Sequence, residues 1–196
     1  MVQVKKNHAF NIKRFLHLLT YLIVSFFALW IVQCEKNATE NEEILSIEDL
    51  LVDNNEITGW SYDGASWLAS NISELTTYIN GAAEIYQRHG FVEATHQTYR
   101  GKIDNVDRQL KLTIYNQGNE NQAKDTYDDP DIGLVGAIDW ADGAGLEAHY
   151  IRYSGLSQAL TFYRGRYFVH LEISYDTEES LNILKQFAWN IDGKIE

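Results

Sequence analysis

The nineteen residues Phe15–Gln33 (FLHLLTYLIVSFFALWIVQ) form an apolar run broken only by His17, Thr20, Tyr21, Ser25 and the terminal Gln33. About 20 helical residues span the hydrocarbon of a bilayer, so the run is long enough to cross one. It also lacks the polar stripe that a core helix of a globular domain carries. Lys5, Lys6, Lys13 and Arg14 precede it, and Glu35, Glu40, Glu42 and Glu43 follow. The positive-inside bias keeps such an N-terminus cytoplasmic and sends the rest of the chain out. The sequence therefore divides into a signal peptide or signal anchor over 1–34, a flexible acidic tether over 35–45, and a single domain over 46–196. One domain plus a leader suits 196 residues of which 45% are hydrophobic.

Cys34, the only cysteine, stands where the apolar run stops. Ile31-Val32-Gln33-Cys34 resembles a bacterial lipoprotein cleavage box, which implies cleavage before Cys34 and lipid attachment to its thiol. Gln33 departs from that box, where Gly, Ala or Ser is usual, and the alternative is an uncleaved anchor with Cys34 as an interfacial thiol. Both versions predict a membrane-anchored protein of the bacterial cell envelope with its domain outside the cytoplasm, at either the inner or the outer membrane. Without a second cysteine the domain has no intramolecular disulfide, so packing alone must stabilise it.

The leader holds four bases and no acid, which leaves 12 bases against 28 acids beyond it, a formal charge of −16. Nucleic-acid phosphates and anionic lipid headgroups both require a basic surface. No nucleic-acid partner is expected. The acidic surface is read as a source of solubility.

Within 46–196, Ile57–Tyr62 has strand composition and ends at the turn signal Asp63-Gly64. Ile72, Leu75, Ile79, Ala82 and Tyr86 recur at helical spacing, with Asn71 or Ser73 as N-cap and Gly90 past the end; Glu84 and Arg88 form an i,i+4 pair on the opposite face. Phe91–Tyr99 and Arg108–Tyr115 read as strands, the second alternating Leu110, Leu112, Ile114 with Lys111, Thr113, Tyr115. Asn119 caps a short helix over Glu120–Asp128. Pro130 ends it, before a loop containing Gly133, Gly136, Gly143 and Gly145. Leu146–Tyr153, Leu156–Tyr163 and Arg166–Ser174 follow as closely connected strands, and Asp176-Thr177-Glu178-Glu179 resembles a capping box. It opens a helix with Leu181, Leu184, Ala188 and Ile191 on one face. The predicted class is α+β: an antiparallel β-sheet with helices packed against it, in the order β-α-β-β-α-β-β-β-α, preceded by the N-terminal anchor helix.

Tyr78-Ile79-Asn80-Gly81-Ala82-Ala83-Glu84-Ile85-Tyr86 followed by Gly90-Phe91, the entry Gly59-Trp60, the strand end Ile114-Tyr115-Asn116-Gln117-Gly118 and the hairpin Arg164-Gly165-Arg166-Tyr167 resemble an uncharacterised exported bacterial family, domain of unknown function 6599. The similarity covers most of 56–191 and departs at Lys124–Tyr127, where the family pattern is more apolar. It implies export and the α+β fold, with no activity attached.

Gly81 stands out, because a glycine inside a helix costs about 1 kcal/mol relative to alanine. Its position implies a close approach by a ligand, a partner or the domain's own long loop, the loop being favoured. Asn80, Gly81 and Glu84 are accordingly the ligand-binding candidates. His96, His149 and His170 fall on three predicted strands and would converge on a metal only if those strands were neighbours; no metal site and no cofactor are expected. Asp125, Asp128, Asp129 and Asp131, and the Asp139-Trp140-Ala141-Asp142-Gly143 stretch, lack the spacing of a calcium loop and read as solvated charge. Trp60, Trp67, Trp140 and Trp189 read as core rather than as a groove. No nucleophile frame, catalytic cysteine–histidine pair or phosphate-binding glycine loop is present.

These features predict a non-catalytic envelope protein that binds a ligand or another envelope protein. The alternatives are an extracytoplasmic hydrolase-like enzyme using Glu84 and a histidine as acid and base, and a structural accessory subunit of a membrane complex.

Overall fold

The computed structural model describes residues 46–132 and 134–195. The apolar run, Cys34 and the tether, which carry the export reading, lie outside the described residues, as does Gly133. No helix among the described residues is long and apolar enough to cross a membrane.

The described chain is α+β, and its strands form one antiparallel sheet. Two short strands, β1 (Ser61–Tyr62) and β2 (Trp67–Ala69), precede a helix in two pieces, α1 (Ile72–Ile79) and α2 (Ala83–Arg88), joined by a 3₁₀ turn over Asn80–Ala82. Then come β3 (Glu93–Ile103), β4 (Val106–Asn116), α3 (Glu120–Asp128), β5 (Ile138–Asp139), β6 (Glu147–Tyr153), β7 (Ser157–Arg164), β8 (Tyr167–Ile173) and α4 (Glu178–Lys194). Both β1 and β2 pair with β3, and the sheet continues β3-β4-β8-β7-β6-β5. The tight hairpins follow from residues that accept positive φ: Asp104 (53°) and Asn105 (61°) between β3 and β4, Gly155 (74°) between β6 and β7, and Gly165 (51°) between β7 and β8.

Alternation along the strands assigns each face. Leu110, Leu112 and Ile114 of β4, Leu160 and Phe162 of β7, and Val169, Leu171 and Ile173 of β8 share a core with Leu184, Phe187, Ala188 and Ile191 of α4. Ile47 and Leu50, from a 3₁₀ turn over Ile47–Leu50, join this cluster beside Trp60. The expected capping box at the start of α4 closes one residue later than its acidic run suggests: Thr177 is the N-cap and Ser180 its partner. Asp176, rather than capping, accepts hydrogen bonds from Arg152 and Gln158.

On the other face Ala94, Tyr115, Phe168 and Tyr163 pack against Leu75, Ala83 and Tyr86 of α1–α2 and Ala123 and Tyr127 of α3. The helix expected to run from Asn71 to Gly90 starts as predicted, with the Asn71 side chain accepting from the Glu74 N–H. It breaks at Asn80, whose φ of 53° and ψ of −136° no helix accommodates.

Candidate functional site

The register places Trp67, His96, Thr113, His170, Thr161, His149 and Asp139 side by side, one residue per strand from β2 to β5. Residues directly opposite in antiparallel pairs share a face, so all seven lie on the α1–α3 side, one row beyond the Tyr115–Phe168–Tyr163 core. The three histidines thus occupy one face and one row, as convergence would require. They are not on neighbouring strands. β4 separates His96 from His170 and β7 separates His170 from His149, each interposing a threonine, so adjacent histidines are about 10 Å apart at the backbone. Among the described residues no three His, Cys, Asp or Glu side chains are arranged to hold a metal ion.

Burial disfavours the charged form of all three imidazoles. Desolvation lowers the pKa of His96 to about 4, with Lys111 and His170 adding to the effect. Desolvation also lowers His170, against Glu172, and His149, against Asp139, Asp128 and Glu147. His96 is held from both sides: Nδ1 lies 2.9 Å from Thr113 Oγ1 and Nε2 3.2 Å from Thr98 Oγ1, and its ring stacks on Trp67, which stacks on Tyr78. At the other end the row is incomplete. Thr161 is 1% exposed, and among the described residues its Oγ1 has no hydrogen-bond partner; His149 Nε2, on the next strand, is also buried without one in that set.

His149 lines a cleft between α3 and β6. One lobe, about 480 Å³, is lined by Tyr127, Asp139, Trp140, Asp142 and Glu147 among others. A second, about 360 Å³, shares Tyr127, Asp139 and Glu147 and adds Asp128 and His149. The strand period explains the lining: Glu147 and His149, two apart on β6, point to one face. Tyr127 stacks on the His149 ring at 4.4 Å. Glu147 Oε1 accepts from Lys124 Nζ at 2.8 Å and from the Tyr163 hydroxyl at 3.0 Å. The Lys124 bond is the main cause holding the Glu147 carboxyl below its usual range, and bonds to Glu147 and Asp128 hold Lys124 well above its own. The wall depends on two glycines. A Cβ at Gly143 would stand 2.6 Å from the Trp140 ring, and one at Gly145, whose φ is 71°, 2.3 Å from the Tyr163 carbonyl.

The residues singled out from sequence lie elsewhere. Asn80, Gly81 and Glu84 are exposed at the helix break and do not line the cleft. The expected close approach at Gly81 is absent: among the described residues nothing stands within 4 Å of where its Cβ would be. The position is a 3₁₀ turn rather than a helix interior, so the helical penalty that drew attention to it does not apply. Arg88 does not pair with Glu84; it binds Asp129 and Asp131. Asp129 is not solvated charge but 7% exposed, and also lies 2.5 Å from His89 Nε2. Burial acts to raise its pKa, but the bonds from His89, the Asp131 N–H and Arg88 prevail and hold it at about 2. Asp128 pairs with Lys124, and Asp125 is exposed. Trp140 is half-buried at the cleft and meets Trp189 edge-on at 4.9 Å.

Comparison with known proteins gave no matching family model, no matching curated protein and no matching solved structure.

Proposed function

We propose that the chain is a membrane-tethered bacterial envelope protein whose domain over 46–196 binds a ligand outside the cytoplasm, in the cleft between α3 and β6. The cation-led apolar run ending at Cys34 supports the address, either as a lipoprotein leader or as an uncleaved anchor helix, and the resemblance to the exported family supports it independently. The cleft is the observation that carries the binding role. It is of ligand size and is lined by Tyr127, Asp139, Glu147 and His149.

Two measurements test the reading. Membrane fractionation with mass spectrometry of the N-terminus should recover the chain with the membrane, carrying either a diacylglyceryl Cys34 or the intact leader; recovery as an intact soluble chain would refute the tether. Ligand screening by NMR of the full chain, observing the His149 imidazole, should yield compounds that shift that signal; none across a broad metabolite panel would refute the cleft.

A second reading, an extracytoplasmic enzyme, moves from Glu84 to the pair Glu147 and His149, which share one strand face in the cleft. Glu84 makes no side-chain hydrogen bond to a histidine among the described residues. Turnover lost in Glu147→Gln with stability kept would favour this reading over simple binding.

A further inference from the structure

Asn80-Gly81 is the single Asn-Gly pair in the chain, and the cleft does not use it. An asparagine carboxamide is open to attack by the backbone nitrogen of the residue that follows it. Glycine in that place obstructs the attack least, because it has no Cβ. The pair is exposed at the break between α1 and α2. Among the described residues nothing stands within 4 Å of where a Gly81 Cβ would be, so water reaches the peptide freely. No hydrogen bond holds the Asn80 carboxamide in that set.

The backbone at Asn80 is already bent toward that attack. The ring it forms runs through Cα, Cβ, Cγ, the Gly81 nitrogen and the Asn80 carbonyl carbon and is nearly flat, so Cβ and the Gly81 nitrogen must eclipse about the Cα–C bond. In an L-residue Cβ lies about 120° around that bond from the residue's own nitrogen, which puts the eclipse at a ψ of about −120°. Asn80 has ψ −136°, within about 16° of it. A helical ψ of about −42° would hold the two atoms about 80° apart. The φ of 53° is left-handed, a region that Asn enters more readily than most residues. Two hydrogen bonds fix the conformation: the Asn80 N–H donates to the Thr76 carbonyl, and the Ala83 N–H donates to the Asn80 carbonyl. The second draws electron density from the peptide whose nitrogen must lose its proton, which favours the nucleophilic form. Asn55 and Asn105 share the positive φ, at 66° and 61°, but precede Glu56 and Val106, whose side chains crowd the attacking nitrogen.

From the residue pair, its exposure and its backbone angle, we propose that Asn80 is a self-modifying site that deamidates through a succinimide formed with Gly81. Hydroxide removes the Gly81 N–H proton, and the nitrogen lone pair forms a bond to Asn80 Cγ. The Cγ–Nδ2 bond then breaks, and Nδ2 leaves as ammonia after taking a proton from water. Water opens the ring. Cleavage between the nitrogen and Cγ gives an aspartate, and cleavage between the nitrogen and the main-chain carbonyl gives an isoaspartate, whose chain runs through Cβ and Cγ. Both products add a negative charge. The isoaspartate also lengthens by one methylene the link between α1 and α2, which carry Leu75 and Tyr86 into the core of this face. The site depends on neither the cleft nor the tether.

The test ages the full chain in detergent at mildly alkaline pH, beside samples at mildly acidic pH and in urea, and maps the digested chain by mass spectrometry with separation of the isoaspartyl peptide. Asn80 should convert ahead of Asn55 and Asn105, and faster in alkali than in acid. The folded chain should convert at least as fast as the unfolded one, because its ψ is already set for ring closure. Gly81→Ala puts a methyl group into open space at a residue of ordinary φ; it should slow conversion several-fold with the melting temperature unchanged. An Asn80 that stays intact in the folded chain while converting in urea would overturn the proposal, as would undiminished conversion in Gly81→Ala or earlier conversion of Asn55 or Asn105. The comparison of folded with unfolded parent decides the matter even if the variant misfolds.

Discussion

The two faces of the sheet are built from the same strands and finished differently. Toward α4 most side chains are aliphatic or aromatic, with Thr95, Gln97 and Gln158 buried among them, and α4 covers them together with the turn at Ile47–Leu50 and Trp60. Toward α1–α3 the cover is assembled from short helices, and the row beyond it is His–Thr–His–Thr–His, with polar atoms unpaired at one end. The α4 face is closed over its few polar side chains, whereas the second face borders open space between α3 and β6. The proposed function would put stability and recognition on opposite sides of one sheet.

Disrupting the α4 face should have the largest effect. Phe187→Ala, at a fully buried position touching Trp60 and Tyr99, should cost about 3–5 kcal/mol in urea unfolding while leaving ligand binding in the surviving folded fraction unchanged.

Acid should act on the opposite face. The folded-state pKa of His96 lies below its unfolded value of 6.5, so its contribution is complete above pH 6.5 and is lost as pH falls toward about 4. The loss should reach about 3 kcal/mol, and His96→Gln should flatten the stability profile across that window. Asp129 behaves in the same sense at lower pH: its contribution is present above 3.8 and disappears as pH falls through about 2. Asp129→Ala, which leaves Arg88 and His89 without their shared partner, should cost about 2 kcal/mol at neutral pH.

The smallest effect should have the opposite sign. Thr161→Val removes a buried hydroxyl that has no partner among the described residues and should stabilise the protein by about 1 kcal/mol in the same unfolding measurement. A loss of comparable size would mean that the hydroxyl is satisfied in solution.

The α4 face was legible in sequence because its signal is local: Leu110, Leu112 and Ile114 alternate at strand period, and Leu181, Leu184, Ala188 and Ile191 recur at helical period. The short strands β1, β2 and β5 were poorly legible, since two or three residues carry no period; the strand expected over Ile57–Tyr62 reduces to Ser61–Tyr62, and Trp67–Ala69 and Ile138–Asp139 gave no signal. The break at Asn80 was hidden because continuous helical spacing tolerates a change of helix type. The cleft depends on which strands become neighbours. Tyr127 meets His149 only because β6 lies beside β7 under α3, and the histidines stay apart only because β4 and β7 intervene. One local clue did point there: Glu147 and His149 sit two apart on a strand that follows a glycine-rich loop.

His149→Phe tests the division of labour most directly, because it replaces an unpaired imidazole with an apolar ring of similar shape. The full-chain variant should melt at or above the parent's temperature and bind more weakly the compounds that shift the parent's His149 signals. A melting temperature several degrees lower, or affinity for those compounds unchanged, would show that the imidazole supports the fold and that recognition does not occur on this face.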